Sequence, residues 1–294
     1  MTIGIDIGGT NIKGVLMNGN KVVVRKKIST KSKSNKKIIL TQLFECINYL
    51  IKRAGRIRGI GVGVAGPIDF KNKKILNPPN VTAFKNLHLG EIIKDKFSIE
   101  TVINNDVNYL TLAEAILGAA KGKNFVIGLG LGTGVGGGIV LNEKIFHGAN
   151  GSAGEIGHMI IFDDGRQCHC GSKGCLEAYV NEKGIRETTK EIFGKEIDSI
   201  TLFEMAKKGN KKAIKVWQIT GQCLGIGLAN LVNIMNPDII VIGGGIANVG
   251  GLLLRPAGKE MKKNILSPLA KNTSIVKAKL GEYAGAIGAG LLHF

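Results

Sequence analysis

The chain has 294 residues, enough for one or two domains with a large core. Hydrophobic residues make up 44% but aromatics only 5%, so the core is aliphatic, and the 43 glycines follow no fixed period, which excludes a collagen-like chain. The net charge of +18 is mostly scattered lysine, as at Lys31, Lys33, Lys36 and Lys37 or Lys207, Lys208, Lys211 and Lys212, without aromatic interleaving or a helix-turn-helix signature, so a solvated surface is expected rather than a nucleic-acid site.

No apolar run is long enough to span a membrane, and Met1 leads straight into a strand-like segment, so neither a membrane partner nor a targeting segment is expected. Five cysteines without a signal peptide point to the reducing cytoplasm.

In chain order, the pattern predicts strands over residues 2–7, 11–17 and 21–28, with Asn18-Gly19 as a hairpin signal. An amphipathic helix over 35–54 carries Ile39, Leu43, Phe44, Ile47, Leu50 and Ile51 on one face. A buried strand over 57–64 leads to Gly66-Pro67, and residues 69–84, with Asn77-Pro78-Pro79-Asn80, read as turns. A helix over 90–97, a strand over 101–103 and a helix over 107–120 follow. The pattern then restarts with a strand over 125–130, a glycine turn and a strand over 135–141. Helices are expected over 182–193, 201–208 and 211–236, then a strand over 238–242 ending in Gly243-Gly244-Gly245 before a helix. A strand near 274–279 and a small-residue helix over 283–292 close the chain. The repeated strand–glycine turn–strand pattern suggests two similar α/β domains facing a cleft, with a boundary near residues 121–124; a rigid single domain is the alternative.

One stretch concentrates chemistry. Cys168, Cys170 and Cys175 follow a C-x-C-x4-C spacing, with glycines that permit tight turns. Three thiolates and one imidazole complete a tetrahedral zinc shell. The fourth ligand is His158 or His169; His158 is favoured, arriving from a separate strand, because His169 lies between two ligands and would have to bend back onto the same metal. A disulfide is disfavoured by the odd cysteine count. Such a closed shell is structural, so the chemistry belongs beside it, where Glu155 and Glu177 bracket the knuckle.

The first glycine turn, Gly8-Gly9-Thr10, lets a backbone approach phosphate closely; Thr10 and Asn11 add donors, Asp6 offers a carboxylate to a Mg²⁺–phosphate site, and Lys13 completes this candidate nucleotide-binding set. Its echo at Gly132-Thr133-Gly134 makes a two-sided polyphosphate clamp, where a hairpin turn alone is the plainer alternative. Gly244 and Gly245 either leave bare backbone for a flat ring such as adenine or serve a close helix–strand crossing. Asp106, at a strand end, is the candidate general base, against the alternative that Asn105 or Asp106 is only a helix cap. Glu155, His158 and Glu177 suit the hydroxyls of one polyol.

These motifs together resemble sugar kinases of the ROK family (repressors, open reading frames and kinases), in the glucokinase-like branch. The resemblance is carried in order by D-I-G-G-T-N from Asp6, N-N-D from Asn104, G-L-G-T-G-V-G-G-G-I from Gly130, G-E-I-G-H from Gly154 and C-H-C-G-S-K-G-C-L-E from Cys168. It implies a two-domain α/β fold of the hexokinase/actin-like (ribonuclease H-like) kind, with residues 1–121 and 280–294 in a smaller domain and 122–279 in a larger one. The last helix would pack on the first domain. It implies ATP with Mg²⁺ in the cleft, a structural Zn²⁺, and Asp106 as base. Asn105, Glu155, His158 and Glu177 fall on sugar-binding positions, Gly66 and Asn80 on sugar-loop positions. His169 stands where many members have glycine. The implied function is ATP-dependent phosphorylation of a hexose, glucose first, with N-acetylmannosamine, mannose or fructose as alternatives and polyphosphate as the alternative donor. A homo-oligomer is implied. The family's repressors place a helix-turn-helix ahead of this core, for which a start at Met1 leaves no room.

Overall fold

The computed structural model describes residues 1–69 and 74–291. Strands β1 (Thr2–Ile7), β2 (Asn11–Asn18) and β3 (Lys21–Ser29) lead to α1 (Lys36–Ile51), β4 (Gly59–Val64), the short pair β5 (Ile68–Asp69) and β6 (Lys74–Ile75), α2 (Leu89–Phe97), β7 (Thr101–Asn105) and α3 (Asp106–Ile116). The pattern restarts with β8 (Phe125–Leu131), β9 (Val135–Leu141) and β10 (Lys144–Ile145). Helices α4 (Glu177–Val180), α5 (Glu182–Phe193), α6 (Ser199–Lys207) and α7 (Lys211–Met235) follow, then β11 (Ile239–Gly243), α8 (Gly251–Asn264), β12 (Ser274–Lys277) and α9 (Ala284–Gly290). The described residues of 1–124, 138–154 and 279–294 form one compact unit, and residues 125–137 and 155–278 a second, the chain passing between them within β9.

The first unit is built on a sheet ordered β3-β2-β1-β4-β7. β2 runs antiparallel to β1 and β3, whereas β1, β4 and β7 are parallel. Every residue of β4 is buried, the mark of a strand covered on both faces. Asn18 pairs with Lys21, so the hairpin's central residues are Gly19 and Asn20, one position beyond the sequence signal. Helix α1 buries Ile39, Leu43, Cys46, Ile47 and Leu50, a helical-period stripe, and Asn35 caps it by accepting from the Ile38 N–H. Helix α9 packs directly on β1 and α3: a Cβ at Gly4 would strike the backbone of Ala286 and Gly290, and one at Gly288 the carbonyl of Tyr109.

The boundary differences have local causes. Helix α3 stops at Ile116 rather than residue 120 because the buried Glu114 draws the chain out of register: its carboxylate accepts from the Ala119 N–H at 2.7 Å and from the Leu280 N–H at 2.7 Å. The expected turns over 69–84 include the β5–β6 pair, Ile68 opposite Ile75; residues 70–73 lie outside the described residues. The last helix begins at Ala284 after a 3₁₀ turn, and residue 292 of its expected span lies outside the described residues.

In the second unit β8, β11 and β12 are parallel neighbours. Helix α7 supplies much of the core, with Trp217, Leu224, Leu228 and Val232 buried beside Leu253, Ala257 and Met261 of α8. The helix expected straight after the three glycines starts only at Gly251, because a 3₁₀ turn over Ile246–Val249 intervenes and Gly250 breaks it at φ 59°. Among the described residues no helix is long and apolar enough to cross a membrane.

Candidate active site and metal centre

In the first unit the turn between β1 and β2 is closed by the Gly8 N–H donating to the Asn11 carbonyl at 3.0 Å. Thr10 is exposed, and its carbonyl accepts from the Thr30 N–H at 2.8 Å. Asp6, one residue before the end of β1, lies directly opposite Lys13 of β2. Burial first, and then the neighbouring Asp106 carboxylate, push the Asp6 pKa up to about 7, while Lys13 pulls it down. The turn also meets the sugar-loop candidate Asn80, whose Cβ lies 3.4 Å from where a Gly9 Cβ would stand.

Asp106 is the first residue of α3, one position earlier than the sequence pattern indicates. The cap is Asn105: its Oδ1 accepts from the N–H groups of Val107 at 2.9 Å and Asn108 at 3.3 Å. Asn105 Nδ2 also donates to the Gly66 carbonyl at 3.3 Å, joining two expected sugar positions. Asp106 accepts from the Val107 N–H at 3.0 Å, yet α3 does not depend on it for its cap. Burial pushes its pKa up, with the Val107 N–H and Lys13 opposing. A carboxylate so raised is a better proton acceptor than an exposed one.

In the second unit His158, Cys168, Cys170 and Cys175 bring one ligand atom each to within 4.8 Å of one another. Cys170 Sγ and Cys175 Sγ are 3.7 Å apart, as are Cys168 Sγ and His158 Nδ1. Metal–sulfur bonds of about 2.3 Å and metal–nitrogen bonds of about 2.0–2.1 Å give tetrahedral edges of roughly 3.5–3.8 Å, so the four groups fit such an ion. Burial pushes the thiols of Cys168 and Cys175 up, whereas the Ser172 backbone N–H draws the exposed Cys170 down. A metal ion bound there would displace those protons, because the thiolate is the ligand.

His158 comes from a 3₁₀ turn over Ile156–His158 rather than from a strand. The chain just after it folds back on the knuckle: the Leu176 N–H donates to the Met159 carbonyl at 2.8 Å, and the Ile161 N–H to that of Gly174 at 2.9 Å. His169 turns instead to Glu177, Nδ1 lying 2.6 Å from Oε1. Glu177 is buried, and its Oε2 accepts from the Val135 N–H at 2.7 Å. Glu155 is exposed and lies outside the metal-ligand cluster, so the pairing of carboxylates around the knuckle is unequal.

The second glycine turn is fastened at every carbonyl. Gly134 accepts from the Gly132 N–H at 3.0 Å, Gly132 from the Glu182 N–H at 3.0 Å, and Thr133 from Asn181 Nδ2 at 3.1 Å. Of the later glycines, Gly244 has φ 83° and rests on the backbone of Leu131, a close crossing, while a Cβ on Gly245 would meet nothing within 4 Å. The sequence pairs the two residues as ring-binding candidates, and the structure gives them different surroundings. In the sequence Asn104 stands out only as the first residue of N-N-D and His147 only as an isolated histidine in a glycine-rich loop, yet the two lie 2.9 Å apart in the first unit.

Comparison with known proteins shows the family and the fold. The sequence profile of the ROK family matches residues 2–293. A glucokinase of Halalkalibacterium halodurans is 32% identical, the match covering 99% of this chain and 94% of the relative. An N-acetyl-D-glucosamine kinase of Vibrio cholerae is also 32% identical, over 100% and 99%. A xylose repressor of Bacillus spizizenii is 30% identical, over 98% of this chain but 75% of the repressor. Among solved structures, a ROK hexokinase from Thermus thermophilus superposes with a TM-score of 0.86 at 29% identity, covering 99% of this chain and 96% of that one. A ROK glucokinase from Streptomyces griseus, in complex with glucose and AMPPNP, gives 0.83 at 27% identity, over 98% and 97%. The chain has the α/β actin-like fold of the ROK sugar kinases and belongs to the ROK family.

Proposed function

We propose that this chain transfers the γ-phosphoryl group of ATP to a hexose, with glucose as first substrate and its 6-hydroxyl as acceptor. The observation that carries the reading is Asp106, a carboxylate raised by burial and relieved of capping by Asn105. Asp106 takes the hydroxyl proton as the sugar oxygen bonds to the γ-phosphorus. The bond from that phosphorus to the bridging oxygen breaks, and ADP leaves with the electron pair. Asn105, Glu155, His158 and Glu177, with Gly66 and Asn80, bind the sugar. The turns at Gly8–Thr10 and Gly132–Gly134, with Asn11 and Lys13, hold phosphates, and Gly244 and Gly245 border the base. Mg²⁺ bound with ATP, near Asp6, would neutralise charge on the phosphates. Zinc is the metal assigned to His158, Cys168, Cys170 and Cys175; there it would be structural, keeping Glu177 in place.

A coupled assay with ATP and Mg²⁺ over glucose, mannose, fructose, N-acetylmannosamine and N-acetylglucosamine tests this, with polyphosphate as a second donor arm. Turnover is expected, greatest for glucose; no turnover of any sugar overturns the kinase reading. A sugar-sensing regulator is the second reading, supported by the xylose repressor's similarity over nearly all of this chain. It requires DNA binding that weakens steeply with salt and responds to sugar, which a filter-binding titration measures.

A further inference from the structure

A chain of hydrogen bonds ends at the backbone N–H of Asn105, the residue before the candidate base, and begins at a residue that the kinase reading does not use. Asn104, at the buried end of β7, accepts through Oδ1 from the Asn105 backbone N–H at 2.8 Å and from Asn108 Nδ2 at 3.0 Å. Those two donors fix the orientation of its amide and leave Nδ2 to donate. Nδ2 lies 2.9 Å from His147 Nε2. An amide nitrogen has no lone pair to offer, so Nε2 accepts and the imidazole is neutral with its proton on Nδ1. Burial lowers the His147 pKa, in keeping with that form. His147 also begins the loop that leads to Gly154: its carbonyl accepts from the Ala153 N–H at 3.1 Å.

We propose that His147 is a positioning residue for Asp106, acting through Asn104. By fixing the Asn104 amide it fixes the backbone N–H of Asn105 and the direction in which the first turn of α3 presents the Asp106 carboxylate. The same contact ties the 147–154 loop to the end of β7. The role rests on the kinase reading; the hydrogen-bond relay itself does not.

The test is a set of variants read by kinetics and by backbone amide exchange. His147→Leu removes the acceptor and should lower kcat by about 10- to 100-fold, the scale of a small misplacement of a reacting group, with the KM for ATP little changed. His147→Gln places an acceptor near the former Nε2 and should restore most of the loss. Combining His147→Leu with Asn104→Ala should cost no more than Asn104→Ala alone, because the two act in series. Exchange at the Asn105 and Asn108 N–H groups should quicken in His147→Leu and return toward wild type in His147→Gln. Wild-type kcat in His147→Leu, multiplicative losses in the double variant, or unchanged exchange would each overturn the proposal. If wild-type protein phosphorylates no sugar while the exchange pattern appears, the kinase reading fails and the relay stands.

Discussion

The two glycine turns have the same sequence logic and opposite surroundings. At Gly8–Thr10 the turn is closed by backbone bonds, and the groups beside it are carboxylates: Asp6 and Asp106 are both pushed up by burial, and Asp6 further by Asp106. At Gly132–Gly134 all three carbonyls are engaged, Asn181 and Glu182 reach in from the start of α5, and Glu177 is held just past the turn by the Val135 N–H. One turn is surrounded by charge short of compensation, the other is tied down by hydrogen bonds. Substitutions near the first should show in chemistry and pH dependence; those near the second should show in stability and metal content.

The largest effect expected is at Asp106. Asp106→Asn should lower kcat by about 100- to 10,000-fold, the usual share of a general base. Because Asn105 provides the cap, thermal stability should stay close to wild type. A variant keeping more than about a tenth of kcat would make Asp106 a sugar-positioning residue and shift the search for the base to Glu155.

Next is the knuckle. Cys170→Ser should lower zinc affinity by more than the roughly 10- to 100-fold typical of losing an outer-shell partner. His169→Ala should keep the metal, since His169 faces Glu177. Metal analysis of both proteins after dialysis checks the pair. Zinc retained in Cys170→Ser, or lost in His169→Ala, would mean that the ligand set is wrong.

What was legible in the sequence follows from how local each signal is. The strand–turn–strand units, α1 and α5 rest on periodicity and cap residues within a few positions, and the cysteine spacing holds its three sulfurs within one turn system. The α3 boundary is not legible because two adjacent residues, Asn105 and Asp106, both suit a cap, and only the side-chain directions separate them. The turn that carries His158 has no local signature that sets it apart from a strand, because it depends on pairing between residues 159–161 and 174–176. The Asn104–His147 contact joins positions 43 apart and has no local signature.

A smaller effect separates the two turns by pH. The Asp6 pKa is about 7 in the folded protein against the usual 3.8 of an aspartate side chain. Between those values the folded state keeps a proton that the unfolded chain has released, so Asp6 makes stability fall as pH rises through that window. Asp6→Asn should therefore match wild type near pH 4 and be more stable by about 1–3 kcal/mol near pH 8. That is less than the ~4 kcal/mol implied by a full shift, because solvent reaches part of the group. Denaturant unfolding of nucleotide-free protein at the two pH values checks this, and an equal difference at both would refute it.

The smallest expected effect tests how the second turn is fastened. Asn181 does two jobs: its Oδ1 caps α5 by accepting from the Gly184 N–H at 2.7 Å, and its Nδ2 donates to the Thr133 carbonyl at 3.1 Å. Asn181→Ala loses both and should cost about 1–2 kcal/mol. Asn181→Ser keeps a capping oxygen but is too short to reach Thr133, so its loss isolates the tie at about 0.5–1.5 kcal/mol. If the turn grips phosphate, Asn181→Ser should also raise the KM for ATP while leaving the KM for sugar nearly unchanged. Unfolding curves and paired kinetics on the two variants distinguish the jobs. A serine variant as stable as wild type, with an unchanged KM for ATP, would show that Gly132–Gly134 keeps its shape without Asn181 and that the contrast between the two turns is weaker than their hydrogen bonds imply.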